Sequence, residues 1–333
     1  MADWSLKTPV ALLIYKRPST TEKVFEAIRQ AKPSQLLVIA NAPRPDQPGE
    51  AEKCAATRAI IDRVDWDCQV FKNYADTFLS CKDRISSGLD WVFETVDRAI
   101  VLEDDCVPDP TFFQFCDELL ERYQDDERVT SIAGTSYQIQ RQRSQYSYYF
   151  SHYNLLWGWA TWRRVWQHYD VNMKLWPEIR DSGWLVDCLG NEETANHWSR
   201  AFERTYNGFD TWDDQWVLSC WIQSGLSIVP NVNLVSNIGF GNESTHTKDS
   251  FDWRAAMPTE PIALPLKHPE FVIRDVQADT AIQERYYNWL AKQRTLVERA
   301  KRKVRRAQKL VQDFRQGDQQ GDLRSLITQL IRE

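Results

Sequence analysis

Short apolar runs alternate with segments of helical period through the first hundred residues of the chain. Four such runs predict strands: Val10 to Tyr15, Leu36 to Ala40, Cys68 to Phe71 and Ala99 to Leu102. Between them, apolar side chains recur at spacings of three, four and seven, which predicts helices around residues 24–31 and 85–96. This alternation indicates βαβ units, and we therefore predict an α/β fold with a mostly parallel sheet flanked by helices.

The pattern is less regular after Leu102. The sequence predicts further helices over residues 112–123 and 214–224 and further strands over 129–133 and 226–229, and residues 182–207 are helical by composition. The aromatic-rich stretch 146–166 predicts a strand, a loop around Gly158 and a short helix. We therefore expect three parts in the chain: a domain over residues 1–257, a Pro-rich linker over 258–279 and a basic amphipathic helical tail over 280–333.

Charge separates the tail from the domain. The 333 residues include 41 Lys and Arg against 47 Asp and Glu, and this net charge of −6 argues against a chain-wide nucleic-acid surface. Residues 285–315, however, hold eleven basic residues and two acids, together with an apolar stripe from Tyr286 to Phe314. This pairing is typical of helices at an anionic membrane surface. Packing on the acidic domain and coiled-coil formation are the alternatives.

Cysteine use and the N-terminus bear on the compartment. The seven cysteines form no CxxC pair, which favours reduced thiols over a disulfide framework or a zinc ribbon. The apolar run Val10 to Tyr15 is too short for a signal peptide or a membrane span. We expect a cytoplasmic protein, with peripheral contact to the inner face of the membrane if the tail binds lipid.

Three carboxylates, Glu103, Asp104 and Asp105, directly follow the fourth predicted strand. Ligand sites of open α/β sheets lie outside the carboxyl ends of the strands. Clustered carboxylates repel one another and need a cation or hydrogen-bond donors to stay ionised, so this position suits a hard divalent ion that bridges phosphates. The alternative is that these acids only favour the start of the following helix.

A second acidic pair, Asp213 and Asp214, lies between two tryptophans at a predicted helix start. Such a pair is an ordinary helix N-terminus, but partial desolvation beside large rings can also raise the pKa of an Asp toward that of a general base. The first glycine is Gly49, so the first strand leads into no glycine-rich phosphate loop. A phosphorylated ligand would therefore need a metal ion and side chains such as Lys82 and Arg84.

The segments that carry these acids resemble one family. VLEDDCVPDPTFFQFC and TWDDQW resemble the metal-binding and catalytic segments of GT-A glycosyltransferases, the nucleotide-diphospho-sugar transferases, and are most similar to the N-acetylglucosaminyltransferases of N-glycan branching. LLIYKRP, LLWGWATW and STHT resemble the opening strand, the glycine loop and the late histidine of that fold. Whole-chain similarity is to bacterial transferase-like proteins, some of them labelled haemolysin-like.

The resemblance implies an inverting glycosyltransferase that uses Mn²⁺ or Mg²⁺, a nucleotide-diphosphate sugar donor and a glycan or lipid-linked acceptor. Asp105 would bind the metal ion directly, with His246 reaching the metal or the diphosphate. Asp214 would be the catalytic base, with Asp213 beside it. The implied donor-side residues are Asn41, Lys82, Arg84, Glu103, Asp104, Gly158 and Trp212.

Two other function classes remain open at this stage. A nucleotidyltransferase that makes nucleotide sugars would use a related α/β sheet, although the missing early glycine-rich loop counts against it. A non-catalytic membrane-active or binding protein would suit the basic tail and the haemolysin-like label.

Overall fold

The computed structural model of the chain describes residues 4–138, 144–240 and 252–286. The chain divides into two compact units, residues 1–279 and 280–333. His246 and most of the predicted basic tail lie outside the described residues. Among the described residues, no helix combines the length and the hydropathy that a membrane crossing requires.

The first half of the domain is a run of βα units. Its elements in chain order are β1 (Val10–Ile14), α1 (Pro18–Ala31), β2 (Gln35–Ala40), α2 (Glu50–Ile61), β3 (Gln69–Tyr74), α3 (Cys81–Thr95) and β4 (Arg98–Glu103). The four strands pair in parallel in the order β3-β2-β1-β4. Strands β1, β2 and β4 are apolar along most of their length because helices cover both faces of a parallel sheet.

The second half extends this sheet with strands from distant parts of the chain. Its elements are β5 (Cys106–Pro108), α4 (Pro110–Arg122), β6 (Val129–Ala133), β7 (Tyr148–Ser151), β8 (Trp159–Trp162), α5 (Arg163–Trp166), α6 (Trp176–Asp181), α7 (Trp184–Leu189), α8 (Glu192–Tyr206), α9 (Asp213–Ile222), β9 (Leu226–Pro230) and β10 (Val235–Asn237). Strands β8 and β7 pair antiparallel to their neighbours, and β5 pairs with β10 apart from the main sheet.

The predicted α/β class is confirmed, and the main sheet is mixed. In the described part of the chain, the main sheet has eight strands in the order β3-β2-β1-β4-β8-β6-β9-β7, and it is mixed: six strands run in one direction, and β8 and β7 run in the other. Strand β8 enters antiparallel between β4 and β6 because the aromatic-rich stretch returns to the sheet from the opposite end. The βαβ rhythm of the first hundred residues predicted the parallel strands but did not indicate the antiparallel entry of β8.

Helix boundaries follow local signals. Asp109 caps α4 by accepting a hydrogen bond from the Thr111 amide at 2.9 Å, and Pro110 occupies the first helical turn. The region 182–207, predicted to be helical, forms two helices, because Gly190 ends α7 in a left-handed conformation and Asn191 caps α8.

Tryptophans build much of the core around the second half of the sheet. Trp159, Trp166, Trp212 and Trp216 are buried and pack ring against ring, with centroids 5.2 to 5.7 Å apart. A second cluster of buried rings, including Trp176, Phe202 and Trp221, joins the helices α6 to α9. These helices therefore form a packed layer that carries the start of α9.

Residues 258–279 run along the outer edge of the sheet. The Lys267 amide donates to Ser147 Oγ at 2.9 Å, and Arg274 forms a parallel bridge with Phe150 on the edge strand β7. Asp279 is buried and accepts from Ser151 Oγ at 2.6 Å and from Arg274 Nε at 2.7 Å. This segment therefore covers an edge that would otherwise present unpaired backbone groups.

Candidate functional site

The acidic residues after β4 lie beside the residues after β1, at the edge of the sheet formed by the carboxyl ends of its parallel strands. The parallel register places Leu13 opposite Glu103, so the two chains leave the sheet side by side. Arg17 Nη1 donates to Asp105 Oδ2 at 2.8 Å, and Arg17 Nη2 donates to Asp104 Oδ1. We call Glu103, Asp104 and Asp105 the carboxylate cluster. Arg17 is thus the guanidinium that pairs with two of its three members.

The carboxylate cluster carries more negative charge than Arg17 balances. The side chains of Asp104 and Asp105 are 4% and 8% exposed, and that of Arg17 is 16% exposed. Burial, together with the charges of Asp105 and Asp104, raises the pKa of Glu103 to about 8, although Arg17 opposes the shift. Burial also raises the pKa of Asp104 against the same guanidinium. An added cation would therefore stabilise the ionised forms of this cluster.

The second acidic pair begins helix α9. Thr205 Oγ1 in α8 donates to Asp214 Oδ2 at 2.6 Å, and Arg204 Nη2 lies 3.8 Å from the same oxygen. Burial and the neighbouring Asp213 charge raise the pKa of Asp214 to about 6, while the Thr205 hydrogen bond opposes the shift. Asp214 is therefore a carboxylate held in one orientation, with a basicity suited to proton transfer near neutral pH.

The charge of Asp213, the first acid of this pair, also acts on the carboxylate cluster. Its side chain is exposed, and its Oδ1 accepts the Asp214 amide at 3.0 Å and the Thr211 hydroxyl. Besides burial, the Asp213 charge contributes to the raised pKa of both Glu103 and Cys81. The two groups of acids, 110 residues apart in sequence, are therefore close enough in space to interact.

The side chains of this arrangement can be compared with the ligands that a divalent cation needs. The described residues contain no group of three His, Cys, Asp or Glu side chains placed to hold a metal ion by themselves. Mg²⁺ is usually held by one or two carboxylates together with water and substrate phosphates, and such a site needs fewer protein ligands. Asp105 and Glu103 supply hard oxygen donors in an environment of surplus negative charge. The donor set therefore fits a cation that binds together with a phosphorylated ligand.

Two of the predicted donor-side residues make hydrogen bonds within the protein. Asn41 Nδ2 donates to the Leu79 carbonyl at 2.8 Å, and its Oδ1 accepts the Leu79 amide at 3.1 Å. Arg84 is buried and donates to the Ala40 carbonyl and to the carbonyl and side chain of Asn73. Burial lowers the pKa of Arg84 to about 10. Both side chains tie together the segments that follow β2 and β3.

Three other predicted donor-side residues occupy different environments. Trp212 is buried in the tryptophan core, stacked 5.7 Å from Trp159. Gly158 has φ +63°, and a Cβ there would lie 2.7 Å from Val235 Cγ2, so packing already requires glycine at this position. Lys82 lies partly exposed in the first turn of α3, where its amide donates to Asp210 Oδ1 at 2.8 Å.

Arg17 and Asp210 belong to the candidate site, although no sequence motif singled them out. Asp210 accepts the Cys81 amide at 3.0 Å and the Lys82 amide at 2.8 Å, so it ties the start of α3 to the loop before the acidic pair. The signal for Arg17 was its place in LLIYKRP, directly after a buried strand that neighbours β4. No comparable pattern marks Asp210, because its contact joins residues nearly 130 positions apart.

Comparisons with known proteins add only distant likenesses. No family model matches the chain, and no curated protein matches it. Among solved structures, a cytidylyltransferase from Leptospira borgpetersenii serovar Hardjo-bovis (strain JB197) is 13% identical, covering 53% of this chain and 68% of its own, with a TM-score of 0.31. A UDP-glucose pyrophosphorylase complexed with UDP-glucose is 8% identical, and the match covers 48% of this chain and 79% of the pyrophosphorylase, with a TM-score of 0.28. Similarity at this level assigns no activity to the chain.

The pairing of Arg17 generates a stability prediction. Arg17→Met leaves two buried carboxylates without their partner, and we expect it to reduce the free energy of unfolding by about 3–5 kcal/mol. Urea unfolding followed by circular dichroism measures the loss. The control is Arg63→Met, because Arg63 pairs at 2.6 Å with Glu22 on the open surface and its removal should change little. Equal stability of the two variants would contradict the pairing.

Proposed function

We propose that the chain is a metal-dependent, inverting glycosyltransferase that moves a sugar from a nucleotide-diphosphate donor to a hydroxyl acceptor. The observation that carries this proposal is that the charge of Asp213, beside Asp214 at the start of α9, contributes to the raised pKa of Glu103 in the carboxylate cluster after β4. One group of acids suits a cation and a diphosphate, and the other suits removal of a proton. The resemblance of VLEDDCVPDP and TWDDQW to GT-A segments supports the same assignment.

The carboxylate cluster is the donor side of the proposed site. Asp105 and Glu103 would hold Mn²⁺ or Mg²⁺, which would offset the negative charge of the diphosphate as it leaves. Arg17 keeps Asp104 and Asp105 fixed before the donor arrives, so little reorganisation is needed on binding. Asp104, held also by the Tyr15 amide at 3.3 Å, would face the ribose side of the nucleotide.

The acidic pair is the acceptor side. The acceptor oxygen attacks the anomeric carbon while the bond from that carbon to the diphosphate oxygen breaks. The bonding electrons leave with the nucleoside diphosphate, and the acceptor proton passes to the Asp214 carboxylate. Because attack and departure occur on opposite faces in one step, the anomeric configuration inverts. Thr205 orients the carboxylate that receives the proton.

Nucleotidyl transfer is the second candidate, and the two distant solved structures are named for it. That reaction would join a nucleoside triphosphate to a sugar phosphate and release pyrophosphate. The two candidates differ in their products: glycosyl transfer releases a nucleoside diphosphate from a nucleotide sugar. The absence of glycine between β1 and α1 favours glycosyl transfer, and pyrophosphate release from a triphosphate would instead establish nucleotidyl transfer.

Donor binding tests the cation assignment. We expect UDP or GDP to bind more tightly with Mn²⁺ than with EDTA in isothermal titration calorimetry, and Asp105→Asn to remove this difference. Asp67→Asn makes the same charge change at an exposed position just before β3, at the opposite edge of the sheet, and should retain the Mn²⁺ effect. Undiminished Mn²⁺ dependence in Asp105→Asn would reject the assignment of this residue. Failure of every nucleotide to bind would reject the proposed function.

The pH dependence of transfer tests the base. Asp214 must be ionised to accept a proton, so kcat/KM should fall as the pH drops below about 6. Asp213→Asn removes a negative neighbour and therefore lowers the pKa of Asp214, which moves this acidic limb to lower pH. Asp214→Asn should retain donor affinity and lose roughly a hundred- to ten-thousand-fold in turnover. An acidic limb that does not move in Asp213→Asn would place the base elsewhere.

A further inference from the structure

The carboxylate of Asp210 binds the start of a helix that lies 129 residues earlier in the chain. Its Oδ2 accepts the Cys81 amide at 3.0 Å, and its Oδ1 accepts the Lys82 amide at 2.8 Å. These are the first two residues of α3, where backbone amides have no partner within the helix. Ser80, just before the helix, accepts the third amide, that of Asp83, at 3.1 Å. A distant residue therefore supplies two of the three caps of α3.

The start of α3 is fixed to the carboxyl ends of two strands. Asn41, directly after β2, donates from Nδ2 to the Leu79 carbonyl at 2.8 Å. Arg84, in the first turn of α3, donates to the Ala40 carbonyl at 3.2 Å and to the Asn73 carbonyl at 2.6 Å. These bonds join the helix start to β2 and β3. A group that binds the amides of this helix start is therefore held against the sheet.

Both groups of acids act on Cys81. Burial makes the largest contribution to the raised pKa of its thiol, and the charges of Glu103, Asp210 and Asp213 raise this pKa further. Glu103 belongs to the carboxylate cluster, and Asp213 belongs to the acidic pair on α9. The start of α3 is therefore within electrostatic range of both groups.

The residues after Asp210 connect it with the acidic pair. The hydroxyl of Thr211 donates to Asp213 Oδ1, and the carbonyl of Thr211 accepts Gln215 Nε2 at 2.7 Å. Thr211 is 5% exposed, whereas all four residues of the preceding loop, 207–210, are exposed. This loop therefore places no side chain in the core, and the two hydrogen bonds of Asp210 attach it to α3.

We propose that Asp210 is a positioning residue, which holds the acidic pair on α9 in a fixed place relative to the carboxylate cluster. This inference rests on the proposed function, to which it adds a regulating contact between the acceptor side and the donor side. Asp210 acts through Thr211 and the first turn of α9, and it touches neither substrate. Its alignment of Asp214 with the anomeric carbon of the donor affects the transfer step and leaves donor binding unchanged.

Helix capping alone is the competing role for Asp210. A carboxylate suits a helix start, because the amides there carry partial positive charge and form strong bonds with an anion. Ser80 performs this role for the same helix from within the same segment. Loss of a cap that serves only α3 would loosen α3 alone. Loss of a positioning contact would also loosen the loop 207–210 and the first turn of α9.

The contact can be broken from either side. Asp210→Ala removes both acceptors. Cys81→Pro removes one donor and suits the helix, because proline is favoured at the first helical position. Ser80, with φ −58° and ψ 163°, already has the extended conformation that a residue before proline adopts. Two controls match these changes: Cys81→Ala keeps the backbone amide, and Ser80→Ala removes the local cap of the same helix.

Hydrogen exchange of the full-length chain, followed by mass spectrometry, tests the positioning directly. Asp210→Ala and Cys81→Pro should accelerate exchange in peptides that cover residues 207–216 as well as in the first turn of α3. Ser80→Ala and Cys81→Ala should leave exchange over 207–216 at the wild-type rate. Wild-type exchange over 207–216 in Asp210→Ala overturns the inference.

Turnover tests whether the position matters for transfer. The reaction is release of UDP or GDP from UDP-glucose, UDP-N-acetylglucosamine or GDP-mannose with Mn²⁺, and water is the acceptor whose proton passes to Asp214. Asp210→Ala should lose roughly a hundred-fold in kcat, as expected for a displacement of about 1 Å. KM for the nucleotide sugar and the affinity for UDP or GDP in calorimetry should stay at the wild-type values. Asp210→Asn, which keeps one acceptor oxygen, should lose less in kcat.

The outcomes separate this inference from the proposed function. Wild-type kcat in an Asp210→Ala protein that binds nucleotide overturns the inference and leaves the proposed function intact. A loss of nucleotide affinity as large as the loss of kcat also overturns it, because Asp210 would then act on the donor side. If Asp210→Ala does not fold, Cys81→Pro decides. Failure of the wild-type protein to bind any nucleotide rejects the proposed function, and hydrogen exchange still decides whether Asp210 holds the acidic pair.

Discussion

The contact of Arg17 with Asp104 and Asp105 is the interaction on which the site depends. Two buried carboxylates side by side are unfavourable unless a positive charge with good hydrogen-bond geometry accompanies them. The parallel pairing of β1 and β4 supplies that geometry, because both chains leave the sheet at the same edge. The two Nη atoms of Arg17 then hold the segment after β1 against the segment after β4 and fix the orientation of the two carboxylates.

The charge that Arg17 does not balance gives this edge its chemical character. Glu103 has a raised pKa because burial and neighbouring acids act together, and Asp213 adds to this effect from helix α9. The packed layer of helices α6 to α9 brings the acidic pair to this edge, with Asp214 anchored on Thr205. Glycosyl transfer, as proposed, would use the carboxylate cluster for the cation and Asp214 for the proton.

Some of this arrangement could be predicted from sequence, and the rest depends on contacts between distant residues. Short apolar runs were sufficient to predict β1, β2 and β4, and the helical period was sufficient to predict α3 and α4. The position of EDD after an apolar strand was sufficient to predict the edge. The antiparallel entry of β8, by contrast, depends on pairing with β4 some sixty residues earlier, which no local pattern records. Likewise, no local pattern indicates that the side chains of Arg84 and Asn41 donate their hydrogen bonds to backbone carbonyls.

The position of the cation is the central claim, and diffraction can test it directly. Crystals grown with Mn²⁺ and a nucleotide diphosphate, measured near the manganese absorption edge, give an anomalous peak at the metal. The present account predicts this peak within coordination distance of the Asp105 carboxylate, about 2.0–2.6 Å for hard oxygen ligands. A nucleotide bound with its manganese peak at any other edge of the sheet would contradict the account.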